Sequence, residues 1–242
     1  MNERTDDAIL IRGPEDFAAA FDVSRETIDR LIVYEKLLRQ WQKTINLVAS
    51  STLDAIWHRH FADSAQLVAL VPQARTWIDL GSGAGFPGLV VALMLADRAS
   101  HNAPSPRLRG EAPHITLIES NARKCAFLRE VVRQTGISAR VTVDILSTRI
   151  EVAATQASLQ GADVVLARAL APLDRLLNLA APLFASPTVG VFLKGRETAA
   201  ELEAAEKMWN FNAEMVPSRT SSEGRVILIR HLEAKMQPNT KD

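Results

Sequence analysis

From Ser24 to about Lys43 apolar side chains return at a helical period. Ile28, Leu31, Ile32, Tyr34, Leu38 and Trp41 form one stripe, interrupted by Glu35. That spacing predicts an amphipathic helix, with Ser24 as its N-cap. A shorter helix is expected before it, with Pro14 at an early position, and another over about Arg59 to Leu70, stopped near Pro72. The pattern then changes to short apolar runs. Thr76–Leu80, Ile115–Glu119, Val141–Asp144, Asp163–Ala167 and Thr188–Leu193 read as strands. An apolar helix over Pro87–Ala96 follows the first. Ser120 is placed to cap the helix after the second, and Gly136 to end it. Another helix is expected over about Glu197–Trp209. Two last strands, Phe211–Val216 and Arg225–Arg230, follow each other with no helix between them, so one must run antiparallel.

Alternating strands and helices predict an α/β fold: a mostly parallel, seven-stranded, Rossmann-like sheet with helices on both faces. The expected division is a helical N-terminal extension (1–72), the α/β domain (73–232) and a polar, disordered tail (233–242). Residues Asp97 to His114, with Pro104, Pro106 and Pro113, read as a surface insertion.

Composition narrows the classes. Apolar residues make up 47% of the chain, enough for a core without staples. Cys125 stands alone, so no internal disulfide forms, and a cysteine-based metal site is disfavoured. The acidic, mixed start lacks a leader pattern. The longest apolar run, around Gly88 to Ala96, is about half of what a bilayer span needs. A cytoplasmic, membrane-free monomer is expected. Formal charge is zero, with 28 basic and 28 acidic residues, so a nucleic-acid partner requires positive charge gathered on one face.

The candidate chemistry centres on Asp79-Leu80-Gly81-Ser82-Gly83-Ala84-Gly85-Phe86-Pro87-Gly88, between a predicted strand and a predicted helix. Gly83, Gly85 and Gly88 satisfy the dinucleotide spacing G-x-G-x-x-G, a weak signal by itself. Asp79 two places before Gly81, and glycines at 81, 83 and 85, resemble instead the first motif of S-adenosylmethionine methyltransferases. Pro87 removes a helix N-terminal N–H, a poor choice for gripping phosphate. Glu119 ends the second strand, where a carboxylate can accept from both ribose hydroxyls. It lies 36 positions after Gly83, against about 20 in a dinucleotide unit, and the insertion accounts for the excess. The other readings are a ligand-free glycine turn, and a helix-capping role for Glu119. Asp144 either faces adenine or is an ordinary strand-end residue.

Further segments resemble one family: the bacterial 16S ribosomal RNA guanine-N7 methyltransferases (RsmG, glucose-inhibited division protein B). They are Trp41–Leu47, Arg59–Ser64, Ile78–Gly88, Ser120–Leu128, Arg149–Glu151, Ala167–Ala171 and Leu193–Gly195, in order over about residues 24 to 232. The resemblance implies methyl transfer from S-adenosylmethionine to a guanine of 16S rRNA, naked or within the 30S subunit. It implies cofactor contacts at Gly81, Phe86, Ile150, Glu151 and Arg168, beside the motif positions Gly83, Gly85 and Glu119. Ile150 and Glu151 would act through their backbones. The insertion and the alanine-rich stretch after Glu151 depart from shorter members.

Arg123 and Lys124 open a predicted helix, where cations oppose the dipole. RNA phosphates are one reason for them, a solvated basic face the other. Arg168 and Lys194 end the fourth and fifth strands, on the ligand-binding edge. They are the candidates for catalysis, Lys194 also for RNA contact, and surface ion pairs are their alternative. His60 and Asp63 share a helix face, for RNA contact or for packing. No cluster demands a metal. Guanine N7 has a free lone pair and needs no general base, so alignment and electrostatics suffice. Cys125 on a helix does not suit cytosine-C5 chemistry and reads as packing. Ala167-Arg168-Ala169-Leu170-Ala171-Pro172 is not an amino-methylation signature. Competing readings are a methyltransferase for a small molecule or protein, a nicotinamide-dependent oxidoreductase, and a non-catalytic RNA-binding module.

Overall fold

A computed structural model describes residues 9–101 and 112–235. Two helices come first, α1 (Pro14–Phe21) and α2 (Arg25–Trp41). A continuous helical stretch follows: a π-helical turn at Trp57–Ala62, α3 (Asp63–Ala65) and a 3-10 turn at Gln66–Ala69. Then come β1 (Thr76–Leu80), α4 (Gly88–His101), β2 (His114–Glu119), α5 (Ala122–Thr135), β3 (Thr142–Ser147) and α6 (Ile150–Ala153). The chain continues through β4 (Val164–Arg168), α7 (Leu173–Ala180), β5 (Val189–Lys194), α8 (Thr198–Ala205), β6 (Trp209–Pro217) and β7 (Arg225–Ala234).

The seven strands form one sheet in the order β3-β2-β1-β4-β5-β7-β6. The first five are parallel, and β7 is antiparallel to both β5 and β6. Alternate strand residues feed two cores, as a pleat buried on both faces requires. Trp77, Leu117, Leu166 and Val191 join the core that includes Leu31, Tyr34 and Phe61. Ile78, Ile118, Val165 and Phe192 join the core of Leu173, Leu177 and Leu202. The strand order reverses between β1 and β4, and the carboxyl ends there form the crevice in which open α/β sheets bind ligands.

Ser24 caps α2 as expected, accepting from the Thr27 N–H at 3.2 Å. Glu35, the polar break in the stripe, accepts from Trp57 Nε1 at 2.7 Å and Arg39 Nε at 2.9 Å. Several boundaries differ from the sequence reading. The helix after β1 runs beyond Ala96 to His101, because Asp97 is buried and accepts from the Ser24 N–H and the Thr27 hydroxyl at 3.0 and 2.8 Å. The insertion therefore starts later than Asp97, and its residues 102–111 lie outside the described residues. Asn121, not Ser120, caps α5, accepting from the N–H groups of Arg123 and Lys124. β3 extends to Ser147, α8 stops at Ala205, and Trp209 already belongs to β6. β7 reaches Ala234, inside the expected tail, because its end pairs with Trp209. Residues 236–242 of that tail lie outside the described residues.

Candidate functional site

The loop after β1 turns through left-handed backbone. Gly81 has φ +67° and Gly83 has φ +56°, a region a side chain enters only with strain. The Ser82 N–H donates to the Ile118 carbonyl at 3.0 Å, tying the loop to β2. Glu119 strengthens that tie: its carboxylate accepts from the Gly83 N–H at 2.9 Å and the Asn121 N–H at 2.7 Å. Gly81 and Gly83 keep partial exposure at the crevice. Gly85 and Phe86 lie in the core instead. A Cβ on Gly85 would stand 2.4 Å from the Tyr34 hydroxyl, which donates to the Ala84 carbonyl. The Phe86 ring stacks with Tyr34, at 5.4 Å, and with His60, at 4.8 Å.

Asp79 is fully buried beneath this loop. One oxygen accepts from the Gly88 N–H at 3.1 Å, and the other, Oδ1, has no partner. Burial pushes its pKa from the ordinary 3.8 to about 7, against the opposing influence of the nearby Ser82 hydroxyl and the Gly88 N–H. An orphaned carboxylate oxygen suits a cationic ligand, and S-adenosylmethionine carries an ammonium. Glu119 at the neighbouring strand end keeps lone pairs beyond its two backbone partners, and the partly exposed backbone of Gly81 and Gly83 permits close approach. The residues present therefore fit that cofactor.

Ile150 and Glu151 open α6 beside the end of β3. Ile150 packs on the second core and the Glu151 side chain is exposed. Asp144 does not face the crevice. It lies within β3, opposite Thr116, and pairs with His114 Nε2 at 2.7 Å near the start of β2, so the adenine reading fails. Cys125 is buried, its Sγ 3.2 Å from the Glu119 carbonyl, which matches the packing role expected of it.

On the other side of the switch, the ends of β4 and β5 floor a cleft of about 770 Å³. Arg168, Leu170 and Lys194 line it, with Arg59 and His60 from the N-terminal segment and Thr220 from the loop before β7. Arg168 donates through Nη1 to the Arg59 carbonyl at 2.9 Å and to Asp63 Oδ2 at 3.3 Å. Its Nη2 lies 2.6 Å from His60 Nδ1. The guanidinium also sits 5.2 Å above the Phe86 ring. Asp63 Oδ1 accepts from the Thr220 hydroxyl at 2.8 Å, closing the cleft wall. Burial lowers the pKa of Arg168, and Asp63 opposes that shift. Burial, then the Arg168 and Arg59 charges, drive His60 down from 6.5 to about 3, so the imidazole is neutral at physiological pH.

Lys194 is committed elsewhere. Its Nζ donates to the Ala171 carbonyl at 2.6 Å and pairs with Glu201 at 2.7 Å, with only 8% of its side chain exposed. Glu201 also accepts from the Leu173 N–H at 2.8 Å, so the pair clamps the turn after β4. Arg123 and Lys124 lie at the carboxyl edge beyond β2, on the start of α5. Neither side chain has a polar partner among the described residues. Sequence reasoning missed Arg59, an exposed cation on the cleft with no side-chain partner among the described residues. It also missed Tyr34, Thr52, Glu201 and Thr220. The Arg59–Ser64 segment was visible as a motif, but its partner Arg168 lies more than a hundred positions away. Among the described residues no metal-binding cluster occurs, and no helix is long and apolar enough to cross a membrane.

Two solved structures share the architecture. A methyltransferase from Geobacter sulfurreducens matches with TM-score 0.52 at 14% identity, over 84% of this chain and 88% of that one. An O-methyltransferase from Bacillus cereus, solved in complex with SAH, matches with TM-score 0.51 at 13% identity, over 90% and 99%. The chain thus has the Rossmann-like fold that these structures share. At the level of sequence, the profile of the rRNA small subunit methyltransferase G (GidB) family matches residues 27–232. The ribosomal RNA small subunit methyltransferase G of Parvibaculum lavamentivorans is 51% identical over 219 residues, 90% of this chain and 89% of that one. The chain belongs to the rRNA small subunit methyltransferase G family.

Proposed function

We propose that this chain transfers a methyl group from S-adenosylmethionine to N7 of a guanine in 16S ribosomal RNA. The observation that carries the reading is that the glycine loop meets the large cleft at one sheet edge, where Leu170 lines the cleft and lies against Gly81. The glycine loop suits the cofactor, and a cleft of about 770 Å³, walled by the half-buried Arg168, suits a base. Family membership supplies the substrate. When bound, S-adenosylmethionine supplies an electrophilic methyl carbon on a sulfonium. The N7 lone pair would form the new C–N bond as the C–S bond broke toward sulfur, with no proton for the protein to remove. The protein's work is therefore to position and to shape the field.

Gly81 and Gly83 offer backbone, Glu119 an acceptor, Asp79 Oδ1 a site for the ammonium, and the start of α6 at Ile150 and Glu151 the adenine wall. Arg168 faces the place where cofactor and base meet. Lys194 serves by holding the Ala171 turn. Arg59, Arg123 and Lys124 are the cations that meet RNA phosphates. A-form RNA hides N7 in a deep groove, so the target guanine lies in an opened or single-stranded segment. The reading extends to a cytoplasmic monomer that acts on rRNA or the 30S subunit. The described residues before β1 form the substrate-facing wall, and 73–232 form the catalytic domain.

The experiment is transfer of labelled methyl from S-adenosylmethionine to naked 16S rRNA and to 30S subunits, with mapping of the modified base. Label at one guanine N7 is expected. Label on another base or atom, or none on either RNA, overturns the reading.

A further inference from the structure

Hydrogen-bond direction around His60 is forced by its neighbours. A guanidinium has only donors, so the 2.6 Å contact with Arg168 Nη2 makes His60 Nδ1 an acceptor. The imidazole proton then sits on Nε2, 2.8 Å from Thr52 Oγ1. The single Thr52 hydroxyl hydrogen is turned toward the Ala49 carbonyl at 2.7 Å, so its oxygen receives the Nε2–H. The result is a one-way chain, Arg168 to His60 to Thr52 to Ala49. A protonated imidazole would set N–H against N–H and break it. The ring has little room to rotate, because it is buried and stacked on Phe86.

Among the described residues, every hydrogen-bond acceptor holding the Arg168 guanidinium comes from one stretch that precedes the sheet: the Arg59 carbonyl, His60 and Asp63. None comes from β4's neighbouring strands or from the glycine loop. Of the three, the His60 contact is the shortest. Three of the five N–H groups are spent this way. The other two have no partner among the described residues, on a side chain that lines the cleft.

We infer that His60 is a positioning residue for methyl transfer, a neutral imidazole that aims the Arg168 guanidinium into the cleft and anchors it through Thr52 to the loop at Ala49. The N-terminal segment is thereby part of the catalytic apparatus. The inference rests on the proposed role of Arg168 in methyl transfer.

Three substitutions separate the contacts. His60→Asn keeps an acceptor near the Nδ1 position. His60→Gln keeps a polar group near Nε2 but not Nδ1. His60→Phe keeps the ring stack and removes both. With 16S rRNA as substrate, His60→Phe and His60→Gln are expected to lower kcat/KM at least tenfold, and His60→Asn less than threefold. In an Arg168→Gln background, His60→Phe is expected to cost less than a further twofold, since it acts through the missing guanidinium. Losses that multiply in the double variant, or a His60→Asn protein as impaired as His60→Phe, overturn the inference.

Imidazole nitrogen-15 NMR of the full chain at pH 7 gives a readout independent of activity. The wild type is expected to hold the proton on Nε2 alone, and Arg168→Gln to mix the two tautomers. A proton on Nδ1 in the wild type, or no change in Arg168→Gln, overturns the inference. If the tautomer result holds while no RNA is methylated, the proposed function fails and the hydrogen-bond assignment stands.

Discussion

Leu170 lies against Gly81, so that a Cβ added to the glycine would stand 2.7 Å from Leu170 Cδ1. Leu170 also lines the large cleft. It therefore stands between the glycine loop and the cleft, where under the proposed function the methyl group would cross. Its own position is set by Ala169, which takes a left-handed φ of +51°, and by the Lys194 clamp on Ala171.

Gly81→Ala meets two obstacles, the left-handed backbone and Leu170. The backbone alone costs about 1–2 kcal/mol. Affinity for S-adenosylhomocysteine, measured by calorimetry, is expected to fall at least tenfold. Adding Leu170→Ala is expected to recover part of it, because the smaller side chain removes the clash but not the φ strain.

Gly88→Ala tests packing rather than backbone. An alanine within a helix ordinarily gains about 1 kcal/mol over glycine. Here its Cβ would stand 2.4 Å from Leu117 Cδ2 and 2.6 Å from Asp79 Oδ2, both buried. Overpacking wins, and a net loss of about 1–3 kcal/mol is expected in urea unfolding.

Asp79 predicts opposite pH trends for stability and for binding. Its folded pKa, near 7, lies above the ordinary 3.8. Its contribution to stability is therefore complete below pH 3.8 and is lost as pH rises through 7. Cofactor affinity should rise over the upper part of that range, because the ionised Oδ1 pairs with the ligand's ammonium. Asp79→Asn should bind more weakly and show a flat profile between pH 6 and 8. Calorimetry across that range checks both.

Lys194 and Arg59 differ in what they are free to touch. Lys194→Met breaks a partly buried pair and a carbonyl contact, and a loss of about 1–3 kcal/mol in folding stability is expected. Arg59→Ala and Arg123→Ala should leave stability nearly unchanged. Each should reduce the salt dependence of RNA binding by about one unit of slope. Filter binding between 50 and 200 mM salt discriminates the two kinds of cation. An unchanged slope in both arginine variants removes them from the RNA interface.

The sequence by itself determined the order and type of the elements, because strand and helix periods are local properties of the chain. It also located the glycine turn and the carboxylate at the end of β2, since a left-handed turn needs glycine at those positions and strand ends are marked by where apolar runs stop. Tertiary structure decided which charges are free. Lys194 and Arg59 are both basic residues in recognisable segments, but one is clamped by Glu201 and the other faces the cleft. Asp144 was ambiguous until β3 extended past it and paired it with His114. The cradle of Arg168 joins residues more than a hundred positions apart, and no periodicity encodes such a contact. Hydrogen bonds and ion pairs reach only a few ångströms, so they depend on how the chain packs rather than on its local pattern.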